Sequence, residues 1–150
     1  MKLVTKHFGE IDVNEKEIIY FPDGVFSFED KKRFIIINNP NEELPFNWLQ
    51  SIDNPNLAFV IINPFIFKPD YDFTLQQSVI DKLEIKEKKD VVVYCIVVIP
   101  EDFNKMTANL AAPVIVNASK MKGKQVIIDN DKYSPKHSII EELQKQRQEE

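Results

Sequence analysis

The polar atoms best placed to do chemistry in this chain are three amides embedded in apolar sequence: Gln50, Asn109 and Asn117. The two asparagines interrupt the run Thr107-Ala108-Asn109-Leu110-Ala111-Ala112-Pro113-Val114-Ile115-Val116-Asn117, which otherwise has the apolar, partly β-branched look of a strand. Gln50 lies between apolar neighbours in Trp48-Leu49-Gln50-Ser51-Ile52. An amide in such a setting must find hydrogen-bond partners or it destabilises the fold. Either the amides bond to their own loops, in Asx-type turns at strand ends, or they are presented to something else. Amides neither attack substrates nor carry protons, so the chemistry on offer is recognition.

Other catalytic equipment is missing from the pattern. The three glycines, Gly9, Gly24 and Gly123, form no phosphate-binding loop, and no Gly-x-Ser-x-Gly elbow occurs. His7 and His137 have no Cys or His at ligand spacing, which makes a zinc site improbable. Carboxylates concentrate in charged runs such as 84–90, the pattern of a solvated face. The single cysteine, Cys95, falls in the apolar run 91–99, where a buried and inert thiol is expected. No catalytic residue, cofactor or metal is expected.

A chain of 150 residues is expected to form one domain, 1–150, with a core that needs no staples. Its net charge of -5 argues against a groove that tracks phosphates and is compatible with a basic partner. Nothing at the N-terminus has the apolar length of a signal peptide, and no stretch approaches a membrane helix, so a cytoplasmic location is expected.

Short apolar runs at 18–21, 34–37, 57–62, 91–99, 114–116 and 126–128 are rich in Val and Ile and read as strands. Pro22-Asp23-Gly24 suits a type I turn, and 39–41, 53–56, 68–70 and 122–124 read as loops. The fold class expected is mainly β, a compact antiparallel roll or barrel with one or two short helices. The runs 34–37 and 91–94 are apolar on both parities, so both faces must be covered, by barrel closure, loops, a helix or a partner. Helical spacing marks 75–83 through Leu75, Val79, Ile80 and Leu83. Ser138 and Glu141 fit a capping box that starts a second helix, with a polar, fraying end over 144–150.

Strand parity splits the opening run. Ala111, Pro113, Ile115 and Asn117 point one way, and Leu110, Ala112, Val114 and Val116 point to a core face. Pro113 belongs on an edge or at a bulge, because it cannot donate to a ladder. A polar, interrupted edge is a docking site for another chain. In Asn63-Pro64-Phe65-Ile66-Phe67, an extended chain would put Phe65 and Phe67 on one side.

Taken in order, several segments resemble the FliW family of bacterial flagellar assembly factors. They are Phe21-Pro22-Asp23-Gly24 with Phe28, Leu49-Gln50-Ser51, Asn63-Pro64-Phe65 with Asp70-Tyr71, Thr107-Ala108-Asn109-Leu110 running into Ala112-Pro113-Val114-Ile115-Val116-Asn117, and Gln125-Val126-Ile127-Ile128 with Tyr133. One departure is Ser27, where the family often has glycine; a positive φ there would strain serine. The resemblance implies a non-enzymatic regulator that binds the RNA-binding translational repressor CsrA and also binds cytoplasmic flagellin. Secretion of flagellin would free it to capture CsrA and lift repression of flagellin mRNA. Partner contacts would then fall on Leu49, Gln50, Ser51, Thr107, Asn109, Leu110, Pro113 and Asn117, in a protein monomeric when free. Two other classes stay open: a small-ligand barrel or enzyme with Gln50, Asn109 and Asn117 in one pocket, and a direct RNA-binding module, which the acidic balance disfavours.

Overall fold

The computed structural model describes residues 1–128 and 131–149. A hairpin of β1 (Lys2–Thr5) and β2 (Gly9–Asp12) comes first. An antiparallel meander follows: β3 (Ile19–Tyr20), β4 (Arg33–Ile37), β5 (Phe46–Ser51) and β6 (Ala58–Ile62). Helix α1 (Gln77–Lys82) precedes the long strand β7 (Val91–Val98). Then come β8 (Thr107–Ala108), β9 (Val114–Asn117) and β10 (Lys122–Gln125), and β11 (His137–Ser138) leads directly into α2 (Ile139–Glu149).

The sheet closes on itself. β6 pairs with β7, β7 with β9, β9 with β10, and β10 runs parallel to β3, completing a ring with β4 and β5. β8 and β11 extend from the ring alongside the far half of β7. The mainly β, barrel-like class expected from the short Val- and Ile-rich runs is therefore the observed one. Inside the ring lie Phe21, Phe34, Leu49, Ile61, Val114 and Val116.

The runs without alternation are covered on both faces, as their composition required. Phe34 and Ile36 point into the ring, while Ile35 and Ile37 pack under the β1–β2 hairpin with Leu3, Ile11 and Val13. Along β7, Tyr94 and Ile96 face inward; Val91 and Val93 face Val79 and Leu83 at α1. Cys95 and Val97 lie beneath Phe67, Tyr71 and Ile139. Burial pushes the Cys95 thiol up to about 12, with a bond to Tyr71 acting weakly the other way. The burial expected for this thiol from sequence is the one observed.

Ser138 caps α2, its Oγ accepting from Glu141 N at 3.2 Å. On the same helix Glu142 is buried, 2.7 Å from His137 Nε2 and 3.6 Å from Lys68 Nζ. Burial acts to raise the Glu142 carboxyl, but the His137 bond and the Lys68 and Lys145 charges outweigh it and hold it below the ordinary range. The polar end of the helix is not merely solvated: Gln146 Nε2 donates to Phe67 O. Among the described residues, no helix is long and apolar enough to cross a membrane, and no group of three or more His, Cys, Asp or Glu could hold a metal ion.

Several local expectations are corrected. Lys122-Gly123-Lys124 is strand β10 rather than a loop, because it pairs with β9, and the glycine leaves room for the Phe21 ring where a side chain would stand. The run 126–128 is not a regular strand. Val126 N and Ile128 N still bond to Pro113 O and Ala111 O, but Pro113 has no N–H to return and the ladder becomes one-sided. Helix α1 starts at Gln77, leaving Leu75 in the preceding extended segment. Asn63 caps a one-turn helix, Pro64–Ile66, so Phe65 is exposed while Phe67 is buried, and the two do not share a side.

Candidate functional site

β7 serves two partners in different registers. Val97 and Val98 face Ala108 and Thr107, whereas Tyr94 and Val91 face Val114 and Asn117. Five residues, 109–113, thus stand opposite only two, Cys95 and Ile96. Three extra residues form a wide bulge, and their odd number flips parity across it. Ala108 and Leu110 accordingly pack on the outer face with Tyr71 and Tyr133, while Val114 and Val116 point into the ring. The expected common core face of Leu110 and Val114 does not exist.

The bulge explains Asn109. Its N–H donates to Ile96 O at 3.0 Å, and its Oδ1 accepts from Ala112 N at 3.0 Å, bridging the loop. Leu110 N donates to Ala108 O and Ser134 O, and Leu110 O accepts from the Tyr71 hydroxyl. Ala112 O accepts from Gln125 Nε2, whose Oε1 receives Phe26 N from across the chain. Pro113 lies at the end of the bulge and is buried. It is not on an edge, since β9 is paired on both sides.

The other amides are also engaged with nearby backbone, Asn117 through both its polar atoms and Gln50 through its nitrogen alone. Asn117 Nδ2 donates to Leu83 O at 2.7 Å and to Glu84 O at 3.2 Å, and its Oδ1 accepts from Ser119 N and Lys120 N. This one side chain ties the end of α1 to the end of β9. Gln50 Nε2 faces three carbonyls, Ser51 O, Pro55 O and Leu57 O, while its Oε1 is buried with no partner. Ser51 Oγ accepts from Asn54 N, closing the same turn. Leu49 is buried inside the ring.

The three amides do not converge. Gln50 organises the turn after β5, Asn109 the bulge, and Asn117 the α1–β9 junction, with no shared partner. A cavity of about 230 Å³ by Trp48 and a groove of about 750 Å³ beside 126–128 are lined by none of them. Among the described residues the three amides therefore build no common ligand pocket. Of the eight candidate residues, Leu49, Gln50, Ser51, Leu110, Pro113 and Asn117 are buried, and Thr107 and Asn109 are half-buried.

The sequence reading missed the hairpin that joins β7 to β8. Thr107 pairs with Val98, which is 63% exposed, and Phe103 at the tip is 68% exposed. Ile99 adds to the patch, and Glu101 and Asp102 flank it with exposed carboxylates. Asp102 also caps the one-turn helix Phe103–Lys105 by accepting from Asn104 N. The apolar tip carries the carboxylates of Glu101 and Asp102 and the exposed Lys105 of the same turn, and an exposed apolar patch of this kind suits contact with another protein. The detectable signal was the excess of Val98-Ile99 and Phe103 beyond what the β7 core needs.

A family model described as FliW protein matches residues 2–139. The chain is similar to the flagellar assembly factor FliW of Alkaliphilus metalliredigens, with 51% identity over 99% of this chain and 91% of the relative. It is 50% identical to that of Thermoanaerobacter pseudethanolicus over 95% of each. Its fold matches a crystal structure of the flagellar assembly factor FliW with TM-score 0.86 and 38% identity, covering 93% of this chain and 96% of the other.

Proposed function

The chain belongs to the FliW family of flagellar assembly factors, and from that membership we propose that it works by partner switching between CsrA and flagellin. Bound to cytoplasmic flagellin, it leaves CsrA free to silence flagellin mRNA. Released when flagellin is exported, it captures CsrA and lifts repression. It acts by occupancy, transforms no substrate, resides in the cytoplasm and is monomeric when free.

The observation that carries this reading is the β7–β8 tip: Val98, Ile99 and Phe103 exposed beside Glu101 and Asp102. An RNA-binding repressor needs basic surface, and an acidic, apolar projection from a chain of net charge -5 complements it. Of the eight residues named from sequence, Thr107 and Asn109 reach the surface at this hairpin and its bulge. The other six are buried and act in the interior: Leu110 and Pro113 in the bulge, Leu49, Gln50 and Ser51 in and after β5, and Asn117 at the α1–β9 junction.

Binding of purified CsrA and flagellin to the intact chain tests the proposal. A Phe103→Ala/Val98→Asp double variant that folds normally should lose about tenfold or more in affinity for one partner, the scale of an interface anchor. Wild-type protein that binds neither polypeptide overturns the reading. Titrating RNA affinity against rising concentration of this protein separates two mechanisms. A plateau corresponding to a coupling of about 1–3 kcal/mol indicates allostery. Unlimited weakening indicates overlap of the two sites.

A further inference from the structure

Beyond Gln125 the chain keeps the register of the β9–β10 ladder but bonds on one side only. Val126 N and Ile128 N point inward to Pro113 O and Ala111 O. Ile127 between them must point its N–H and C=O the other way, and neither makes a backbone bond among the described residues. Ile127 is 72% exposed. This open edge borders the groove of about 750 Å³, which is lined on its apolar side by Phe26, Phe73, Leu75, Val126, Ile127 and Ile128.

The far rim is held in place at a cost. Phe26 is 42% exposed, its N–H is fixed by Gln125 Oε1 at 3.0 Å, and the next residue, Ser27, has φ +72. A serine in the left-handed region is strained, and strain concentrates where a loop must hold a defined shape. Two ionic side chains also line the groove with different availability. Lys124 is taken by Asp23 at 2.7 Å, whereas Asp72 is exposed and has no ion-pair partner among the described residues. The groove therefore offers apolar surface, one open strand edge and one unneutralised negative charge.

We infer that this groove binds an extended segment of another polypeptide by strand addition along Ile127, with alternate apolar side chains entering the groove and a Lys or Arg opposite Asp72. The edge supplies one donor and one acceptor that only an extended backbone satisfies together, and the apolar walls suit side chains at period two. The residues that line this groove are distinct from those of the β7–β8 tip, Val98, Ile99 and Phe103.

A random dodecapeptide library selected on the intact chain tests the inference, followed by calorimetry of the enriched peptides on Ile127→Pro, Ile127→Thr and Asp72→Asn. Among backbone donors, proline at 127 deletes only the outward N–H, since the inward bonds belong to Val126 and Ile128, and Ile127→Thr controls for the lost side chain. The expected result is enrichment of alternating apolar residues with a basic residue. Amide exchange at Ile127 slows in the complex. Affinity is about tenfold lower, the upper range for one backbone bond, in Ile127→Pro than in Ile127→Thr, which also loses the isoleucine but keeps the N–H, and it falls in Asp72→Asn. Peptides that bind Ile127→Pro as well as wild type, or that leave Ile127 exchange unchanged, overturn it. A library without selectable binders overturns it too, independently of whether CsrA and flagellin bind.

Discussion

The Tyr71 hydroxyl donates a 2.6 Å hydrogen bond to the Leu110 carbonyl and so fastens the strap after β6 to the bulge between β8 and β9. Tyr71 is buried, and its ring meets Tyr133 edge-on with centroids 4.7 Å apart. Tyr133 in turn accepts from Asp72 N at 3.0 Å, so the two tyrosines set the position of the strap that forms one wall of the groove.

Tyr71→Phe should fold but lose about 1–3 kcal/mol, the penalty of leaving the buried Leu110 carbonyl unpaired. Urea unfolding measures it: the midpoint falls while the slope stays constant. An unchanged midpoint would mean that water replaces the hydroxyl.

Asn109 acts as an acceptor for Ala112 N. Asn109→Ala should therefore cost about 1 kcal/mol, and Asn109→Asp, which keeps the acceptor, should retain most of the stability. Thermal melts of the pair, read beside partner affinity, separate a bulge-bracing role from direct contact. Bracing alone predicts near-normal affinity in the Asp variant.

An added Cβ at Gly123 would stand 2.5 Å from the Phe21 ring. Gly123→Ala should destabilise by about 1–3 kcal/mol, as overpacking does, and Phe21→Leu in the same chain should recover part of that loss. A double-mutant cycle reads the coupling directly.

Ser27 has the positive φ that its place in the family pattern suggested. Ser27→Gly should relieve left-handed strain of about 1–2 kcal/mol against an entropic loss of about 0.4–1 kcal/mol. The variant should be as stable as wild type or slightly more so. Ser27→Val should be clearly less stable, and calorimetric melts distinguish the two.

Hydrogen bonds from Lys124 and then Lys82 hold the Asp23 carboxyl at about 2, below its ordinary 3.8. A carboxyl lowered in the folded state contributes stability above its unfolded value and loses it as pH falls towards the folded one. Stability should thus decline between about pH 4 and pH 2 in wild type, and less steeply in Asp23→Asn. The pair is partly exposed, so the effect is small and shrinks further in high salt.

Much of this molecule is written locally. The Val- and Ile-rich runs, the turn at Pro22-Asp23-Gly24, the Ser138 cap and the double-sided burial of 34–37 all follow from side-chain branching, turn chemistry and hydrophobic period, which act over a few residues. The ordered motifs likewise pointed to the FliW family from sequence alone. What three amides do could not be read this way. Asn109 and Asn117 do bond to their own loops through Oδ1, the local alternative that the sequence left open, but which alternative holds, and the reach of Asn117 Nδ2 to Leu83 O 34 residues away, are decided by folding. The three-residue register shift along β7, the closing of the ring and the open edge at Ile127 are likewise properties of pairing between distant strands. Periodicity reports which faces are apolar; only long-range pairing decides which of those faces, and which backbone edge, is left for a partner.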